Sequence, residues 1–483
     1  MSPVPVTPSP NSGTSIPVSV LTKLGEIESG FVIDDALLEK ILAKLIEDFA
    51  LGLSKYGEPM AMIPTYVTGV PTGKETGTFL ALDLGGTNLR VCEVKLDGNH
   101  GFQLRQQKYK VSEALKTGDA RALFDYMADS VDSFLTQLGP TGDDIDSYHL
   151  GFTFSFPVEQ TALDSGTLLT WTKGFSAKNA QGNDVVKMLQ DALDRKHLHV
   201  KCTALVNDTV GTMLSRAYGA GDCLVGCIFG TGTNAAYVDD IETLGKLPDE
   251  LRLRGGKMIA NTEWGAFDNA RTVLPFTQFD NKVDRESINP RFQAFEKFIS
   301  GMYQGEVTRN LLLYLIDNNI ILKGYSTPQL NSHYGFDTAL MSELETEEPR
   351  TPEFYTRARK VFTDIGFKDA QVSDIDCDIA RWACEVVATR AARLSAVGIA
   401  AVVKKTKAAE KMTGDIQVGV DGSVVEHYPH FEERVRIALK AMLGPEIESR
   451  IKIGMAKDGS GVGGMFHIFC SGSGTVSSKV LNS

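Results

Sequence analysis

Two residue patterns in this chain could do chemistry: a carboxylate displayed at the end of an apolar run, and a glycine-rich turn that occurs twice. Residues 204 to 212 read ALVNDTVGT, so the run Ala204-Leu205-Val206 ends on Asn207 and Asp208 just before a helical pattern begins. Capping is the simpler reading, because Asp is among the best acceptors for the free N–H groups of a helix's first turn. The sharper reading makes Asp208 an acid–base residue at the carboxyl end of a buried strand, where open α/β folds place their ligands.

The second pattern is a phosphate cradle. In 83-DLGGTN-88 the glycines Gly85 and Gly86 let backbone N–H groups approach phosphate oxygens with no Cβ in the way, and Thr87 adds a hydroxyl. Asp83 closes the apolar strand before that turn, a place from which a carboxylate can orient a phosphate-bound Mg²⁺ through water. A related turn follows in 229-FGTGTN-234, where Gly232, Thr233 and Asn234 align with Gly86, Thr87 and Asn88. One such turn is no more than a tight hairpin. Two of them, one led by Asp83, suggest a duplicated architecture gripping ATP from two sides. Other glycine-rich stretches fail as nucleotide sites. GVPTGKE (69 to 75) has the wrong spacing for a P-loop and Glu75 where a metal-binding hydroxyl belongs. Gly459, Gly461 and Gly464 lie too near the end for a βαβ unit, and Gly230, Gly232 and Ala235 open a strand rather than a helix.

The elements that must position these residues read as α/β. Leu38, Ile41, Leu42, Leu45, Ile46 and Phe49 recur at helical steps behind the caps Asp34 and Asp35. TFLALDLGG, LRVCEVKLDG and FQLRQQKYKV are three strands joined by tight turns, hence antiparallel neighbours. A helix at about 120 to 137, the strand YHLGFTFSFP, a helix at 182 to 196, the strand VKCTALVN and the helix TVGTMLSRAYG follow. The hairpin pattern then returns in CLVGCIFG and AAYVDDI. Helices fill 291 to 318 and 376 to 405, and a last α/β segment runs from IQVGVDGSV through IKIGMAKDGSGVGG. The Pro- and Ser-rich residues 1–20 read as a disordered tail, and the acidic 342 to 349 as a solvated loop.

Composition bounds the function class. The chain has 483 residues, 42% hydrophobic and 23% charged, ordinary for a soluble globular protein and long enough for two domains. A net charge of -12 argues against a nucleic-acid partner but leaves a nucleotide ligand open. Cys92, Cys202, Cys223, Cys227, Cys377, Cys384 and Cys470 show no metal or redox spacing and read as reduced thiols of a cytoplasmic protein. The first charged residue is Lys23, so no signal peptide is expected. The most apolar helical stretch, about Ala391 to Val403, reads as too short for a membrane span.

The motifs FLALDLGGTNLRV, LGFTFSFPVEQ, WTKGF, LVNDTVGTM, GCIFGTGTN, NTEWGAFDN, FEKFISGMYQGEV and VDGSVVEHYP resemble, in this order, the eukaryotic hexokinases, and details look closest to the fungal glucokinase branch. The likeness runs from about residue 30 to about residue 463. It implies the actin-like ATPase (ribonuclease H-like) fold, with two α/β domains closing on a cleft, and ATP-dependent transfer to the 6-hydroxyl of glucose or a related hexose, the first step of glycolysis. The implied division is a small domain of 76–208 plus about 456–470, a large domain of 21–75 plus 209–455, and an atypical tail at 471–483.

By match to the family, the ATP-binding positions are Asp83, Gly85, Gly86, Thr87, Asn88, Arg90, Lys108, Thr231, Gly232, Gly422 and Ser423, with Mg²⁺ held by Asp83 through water. The sugar-binding positions are Ser155, Thr172, Lys173, Asn207, Asp208, Asn234, Glu263 and Glu296. Asp208, aided by Lys173, is the catalytic pair, with Asp208 accepting the proton of the sugar 6-hydroxyl while also capping its helix. Without the resemblance, Glu296 in AFEKF reads as a helix-surface residue and Lys173 as a loop lysine. A sugar sensor of the same fold and a client-binding actin- or chaperone-like ATPase are the alternatives. The sugar-contact set has no reason to exist in the second. Preference among glucose, mannose and fructose, and monomer against homodimer, stay open. The family's closing Ala-Ala-Leu and its helix at the hinge are replaced here by GGMFHIFCSGSGTVSSKVLNS, in which Gly472, Ser473 and Gly474 form helix poorly.

Overall fold

The computed structural model describes residues 16–86, 88–139, 148–171, 174–456 and Gly459. Two sheets carry the architecture. In the first, the strands run in the order Phe102–Lys110, Asn88–Asp97, Thr76–Leu84, Tyr148–Phe154, Val200–Val206. The first three are antiparallel and the last two join in parallel. In the second, Lys257–Asn261, Thr233–Asp240 and Val225–Phe229 are antiparallel, and Ile416–Asp421 and Ile451–Met455 join in parallel. The short strand Ile63–Pro64 extends its far edge. The same five-strand plan thus occurs twice, which is the duplication the paired turns suggested and the arrangement of the actin-like ATPase fold. The turns themselves differ: the first closes Leu84 onto Leu89 and the second closes Phe229 onto Thr233, one residue tighter.

Helices Ala120–Leu138 and Val185–Arg195 cover the outer face of the first sheet with Leu123, Phe124, Met127, Val131 and Leu189. Helix Asp35–Ser54 buries Leu38, Ile41, Leu42, Leu45 and Phe49, as its spacing predicts, and Asp34 caps it by accepting the Leu37 N–H at 2.8 Å. It packs on the second sheet's side with the long helix Asp374–Thr406. Between the sheets lies helix Asp208–Ala220. Its Val210, Met213, Leu214 and Ala217 fill a core with Phe79, Ala81 and Val94 of the first sheet and Ala236 and Ile259 of the second.

A rung of glycines seats that central helix. Gly226, Gly419 and Gly454 lie side by side across three parallel strands. A Cβ on Gly226 would stand 2.6 Å from the Met213 nitrogen and the Thr209 carbonyl oxygen, and one on Gly419 would stand 2.8 Å from the Arg216 Cβ. Only a side-chain-free surface admits a helix backbone that close.

Several expectations are corrected. Residues 16–20 are ordered rather than part of a disordered tail: Ile16 is buried and helix Val18–Ser29 begins two residues later. The acidic stretch is not a solvated loop. Helix Thr338–Glu345 occupies its start, and Glu345, fully buried, accepts the Tyr428 hydroxyl at 2.6 Å and pairs with Arg434. The helix thought too short to span a membrane runs 33 residues and is apolar enough by composition, but 89% of its apolar window is buried inside the protein. The six described cysteines are buried, and burial pushes the Cys202 and Cys223 thiols up to about 12, which keeps those two unreactive. Cys470, the expected tail 471–483 and most of the 456–470 segment lie outside the described residues.

Candidate active site

Asp208 stands where strand Val200–Val206 gives way to the central helix. The residue that caps this helix is Asn207, not Asp208: its Oδ1 accepts the Thr209 N–H at 3.1 Å and the Thr209 hydroxyl at 2.7 Å. Asp208 occupies the first helical turn, so its carboxylate sits near the positive end of the helix dipole without being consumed by the cap.

Asn207 also opens a polar network. The Asn234 Nδ2 lies 3.5 Å from Asn207 Oδ1 and donates to Asn261 Oδ1 at 2.9 Å and Glu263 Oε1 at 3.0 Å. Glu263 Oε1 also receives the Asn261 amide at 2.9 Å. The Asn234 Oδ1 is fixed by the Ala235 N–H at 2.8 Å and the Thr262 hydroxyl at 3.2 Å, so the amide cannot flip without breaking both. Glu263 holds φ 51°, a left-handed conformation that costs energy in a residue with a Cβ and gathers at functional sites.

Glu296 approaches from helix Ala294–Ile299. Its Oε2 accepts the Thr233 N–H at 3.1 Å, and a Cβ on Gly232 would fall 2.7 Å from that oxygen. The helix is pinned by Lys297, buried, which donates to Asp284 at 2.7 Å and to the Asn289 carbonyl at 2.8 Å. Gly265 lies under this helix, where a Cβ would meet Gln293 Oε1 at 2.7 Å and the Glu296 Cβ at 3.3 Å.

Asp83, Arg90 and Lys108 share one rung of three antiparallel strands. Arg90 donates Nε at 3.0 Å and Nη2 at 2.6 Å to Asp83 Oδ2, while Lys108 is exposed at the sheet edge. In the turn beside them the Gly85 N–H donates to the Asn88 carbonyl at 3.1 Å. In the second sheet, the loop of Thr231 and Gly232 is held by helix Gly301–Asp317, whose Gly301 and Met302 N–H groups donate to the Gly230 and Thr231 carbonyls. Gly422, at φ 116°, packs so closely on this loop that a Cβ would stand 2.6 Å from the Phe229 carbonyl, and Ser423 opens the next helix. Ser155 is buried just past the end of strand Tyr148–Phe154, which lies between the strand of Asp83 and the strand that leads to Asn207. Thr87, Thr172 and Lys173 lie outside the described residues.

The comparisons with known proteins bear on this geometry. Two family models, both described as hexokinase, match residues 23–218 and 224–469. The chain belongs to the hexokinase family. It is 40% identical over 463 residues to a hexokinase of Emericella nidulans, covering 94% of this chain and 91% of that protein. It is 39% identical to a glucokinase of Aspergillus niger, covering 92% and 96% of the two chains. A solved hexokinase of Schistosoma mansoni in complex with glucose superimposes with a TM-score of 0.82 at 36% identity, over 93% of this chain and 98% of that one.

Three residues of this hexokinase-family site went unread in the sequence. Asn261 ends a strand as an ordinary polar residue and gains its place only through pairing with Asn234. Gln293, at φ 54°, turns a buried Oε1 with no hydrogen-bond partner among the described residues toward Gly265 and Glu296. Asp421 precedes Gly422, and its carboxyl lies above the usual carboxylate range: burial raises it, and the charges of Asp208 and Asp83 push the same way, against the Gly422 N–H and Arg90. Asp421 is thus within electrostatic reach of Asp208, Asp83 and Arg90. The one signal available for Asp421 was its position in VDGSV, at the carboxyl end of a strand.

Proposed function

We infer that the chain transfers the γ-phosphoryl group of ATP to the 6-hydroxyl of glucose, giving glucose 6-phosphate and ADP. The observation that carries this reading is the joined network of Asn207, Asn234, Asn261 and Glu263 beside Asp208, amides and carboxylates spaced to meet hydroxyls that both donate and accept. Ser155, Thr172, Lys173, Glu296 and Gln293 complete the sugar pocket in this reading. Asp208 orients the 6-hydroxyl and takes its proton as the oxygen–phosphorus bond forms and the bond to the ADP oxygen breaks. A weak base suffices, because a loose phosphoryl-transfer transition state needs the nucleophile aligned more than deprotonated early.

The turns at Gly85, Gly86, Thr87 and Asn88 and at Thr231 and Gly232 grip the phosphates from two sides, Gly422 and Ser423 receive the adenosine, and Arg90, Lys108 and Lys173 offset phosphate charge. Mg²⁺ fits the chemistry of Asp83, a hard oxygen donor beside the phosphate-gripping turn; among the described residues no group of three or more ligating side chains stands together, so water would complete the ion's shell. It would be oriented by Asp83 through water, and it supplies charge neutralisation on the phosphates. In this reading the five-strand units belong to two domains, 76–208 plus about 456–470 and the flanking 21–75 plus 209–455, which close on the sugar and exclude water as a rival acceptor.

The deciding experiment measures initial rates with Mg-ATP and glucose, mannose or fructose. Glucose turnover with weak fructose turnover makes the enzyme glucokinase-like, and comparable rates on all three make it a general hexokinase. Glucose binding with no phosphorylation of any sugar would overturn the catalytic reading in favour of a sugar sensor.

A further inference from the structure

On the second sheet's side of the site, the loop of Thr231 and Gly232 and the turn of Gly422 and Ser423 meet through backbone alone. A Cβ on Gly230 would stand 3.3 Å from the Gly422 Cα, and one on Gly422 would stand 2.7 Å from the Gly230 nitrogen. A contact between glycines has no interdigitating side chains to fix it, so its spacing must be set from outside. Helix Thr338–Glu345 reaches both partners, one with each end. At its start the Thr338 hydroxyl donates to the Gly301 carbonyl at 2.5 Å and accepts the Gly305 N–H at 3.0 Å. Gly301 is the residue whose N–H holds the Gly230 carbonyl, at 2.8 Å. Gly305 lets the two backbones close, since a Cβ there would fall 2.5 Å from the Asp337 carbonyl carbon.

At the helix's other end is Glu345, which has no exposed surface. Its Oε1 accepts the Tyr428 hydroxyl at 2.6 Å, and its Oε2 pairs with Arg434. Tyr428 directly follows helix Ser423–His427, and its N–H donates to the Val424 carbonyl at 3.0 Å. Midway along, the Ser342 hydroxyl donates to the His427 carbonyl at 3.3 Å. Arg381 of the long helix fastens the same end, donating to the Leu344 carbonyl at 2.9 Å and the Glu347 carbonyl at 2.7 Å. A buried carboxylate is costly unless paired and hydrogen-bonded, and an apolar side chain of like size would fill the space at less cost. What the carboxylate adds is direction. It fixes the Tyr428 hydroxyl, and with it the end of the Ser423 helix, at one place. The 8 residues of the bracing helix rise about 12 Å from anchor to anchor, a stiff spacer.

We propose that Glu345 is a positioning residue for the nucleotide, and that its helix is a brace setting the gap between the Thr231–Gly232 loop and Ser423. This role rests on the reading in which the loop takes phosphates and Gly422 and Ser423 take the adenosine. Glu345 and Tyr428 are both buried and touch no nucleotide themselves. They act by holding the two ends of its site at the span of one nucleoside triphosphate. A nucleotide that contacts both ends feels any change in that span. Glucose, bound through Asn234 and Glu263, does not.

The test is steady-state kinetics of the full chain with Mg-ATP and glucose, beside thermal melts. Tyr428→Phe removes the hydroxyl and keeps the buried ring, and Glu345→Leu removes the carboxylate. Each should raise the KM for ATP by about three- to tenfold, the equivalent of one hydrogen bond, with the KM for glucose and the kcat at saturating ATP within about twofold of the parent. Glu345→Gln still offers an oxygen to Tyr428 and should recover most of the ATP affinity. A lower melting temperature with an unchanged KM for ATP in Tyr428→Phe would overturn the proposal, because a merely structural pair weakens the fold without selecting one substrate. Equal rises in both KM values would overturn it as well, since the whole cleft would then be distorted. Ser423→Phe adds bulk at an exposed position and checks the underlying reading. If it raises the KM for ATP and Tyr428→Phe does not, the brace alone fails. If it leaves the KM for ATP untouched, adenosine binds elsewhere, and the site assignment falls together with the brace.

Discussion

At the scale of single residues, the separation of duties between Asn207 and Asp208 makes the catalytic assignment testable. Asn207 carries the cap, so Asp208→Ala removes the proposed base while leaving the helix start intact. Turnover should fall by at least ~10²-fold, the low end for a general base, with the melting temperature nearly unchanged. A variant that keeps near-full turnover rules the assignment out. Gly232→Ala tests the other wall, because its Cβ would fall 2.7 Å from Glu296 Oε2 and push that carboxylate away. We expect the KM for glucose to rise by about an order of magnitude or more, as misplaced contacts do, and the KM for ATP to move less. Equal shifts in both would mean the loop, not Glu296, had been disturbed.

Asp421 makes a prediction in pH. Its folded-state carboxyl titrates above the unfolded value, chiefly through burial, so the charge it carries at neutral pH is a cost to the fold. That cost is absent below the unfolded value, near pH 4, and develops as pH rises through the folded value. Asp421→Asn should therefore raise the melting temperature at pH 7 and have progressively less effect as pH falls toward 4. A variant that is destabilised at pH 7 by as much as at pH 4 contradicts the sign.

At the scale of elements, the glycine rung decides where the Asp208 helix lies. Gly226, Gly419 and Gly454 are in register on three strands, and the helix backbone meets the first of them within van der Waals range. Gly226→Ala must lift the helix or shift the strand, an overpacking that costs about 1–3 kcal/mol. Denaturant melts should show this loss. Turnover should fall with it, because the helix start moves as a unit with its carboxylate. A neutral Gly226→Ala would mean that the sheet yields and the helix is not seated by contact.

At the scale of the whole molecule, the two five-strand units meet at the central helix and at the segment that leads into the first sheet. The core around Met213, Leu214 and Tyr218 joins both sheets, so any closure must turn about this shared layer rather than open it. Small-angle scattering should show the radius of gyration falling when glucose is added, with ATP alone having a smaller effect. No compaction with glucose would leave the proposed exclusion of water without a mechanism.

The sequence by itself determined what depends on neighbours a few residues apart. The helix behind Asp34, the three strands around Gly85 and Gly86 and the paired hairpin turns follow from 3.6- and 2-residue periodicity and from turn chemistry, all local. The motifs around Asp208 also carried the family. The tertiary structure decided what depends on residues far apart in the chain. It set Glu345 against Tyr428 and Arg434, so an acidic stretch that looked solvated is partly core. It aligned three glycines from distant strands under one helix. It brought Asn261 against Asn234 and turned Gln293 toward Glu296, two residues whose local sequence is unremarkable. Burial and register are sums over the whole fold, and no short window of sequence contains them.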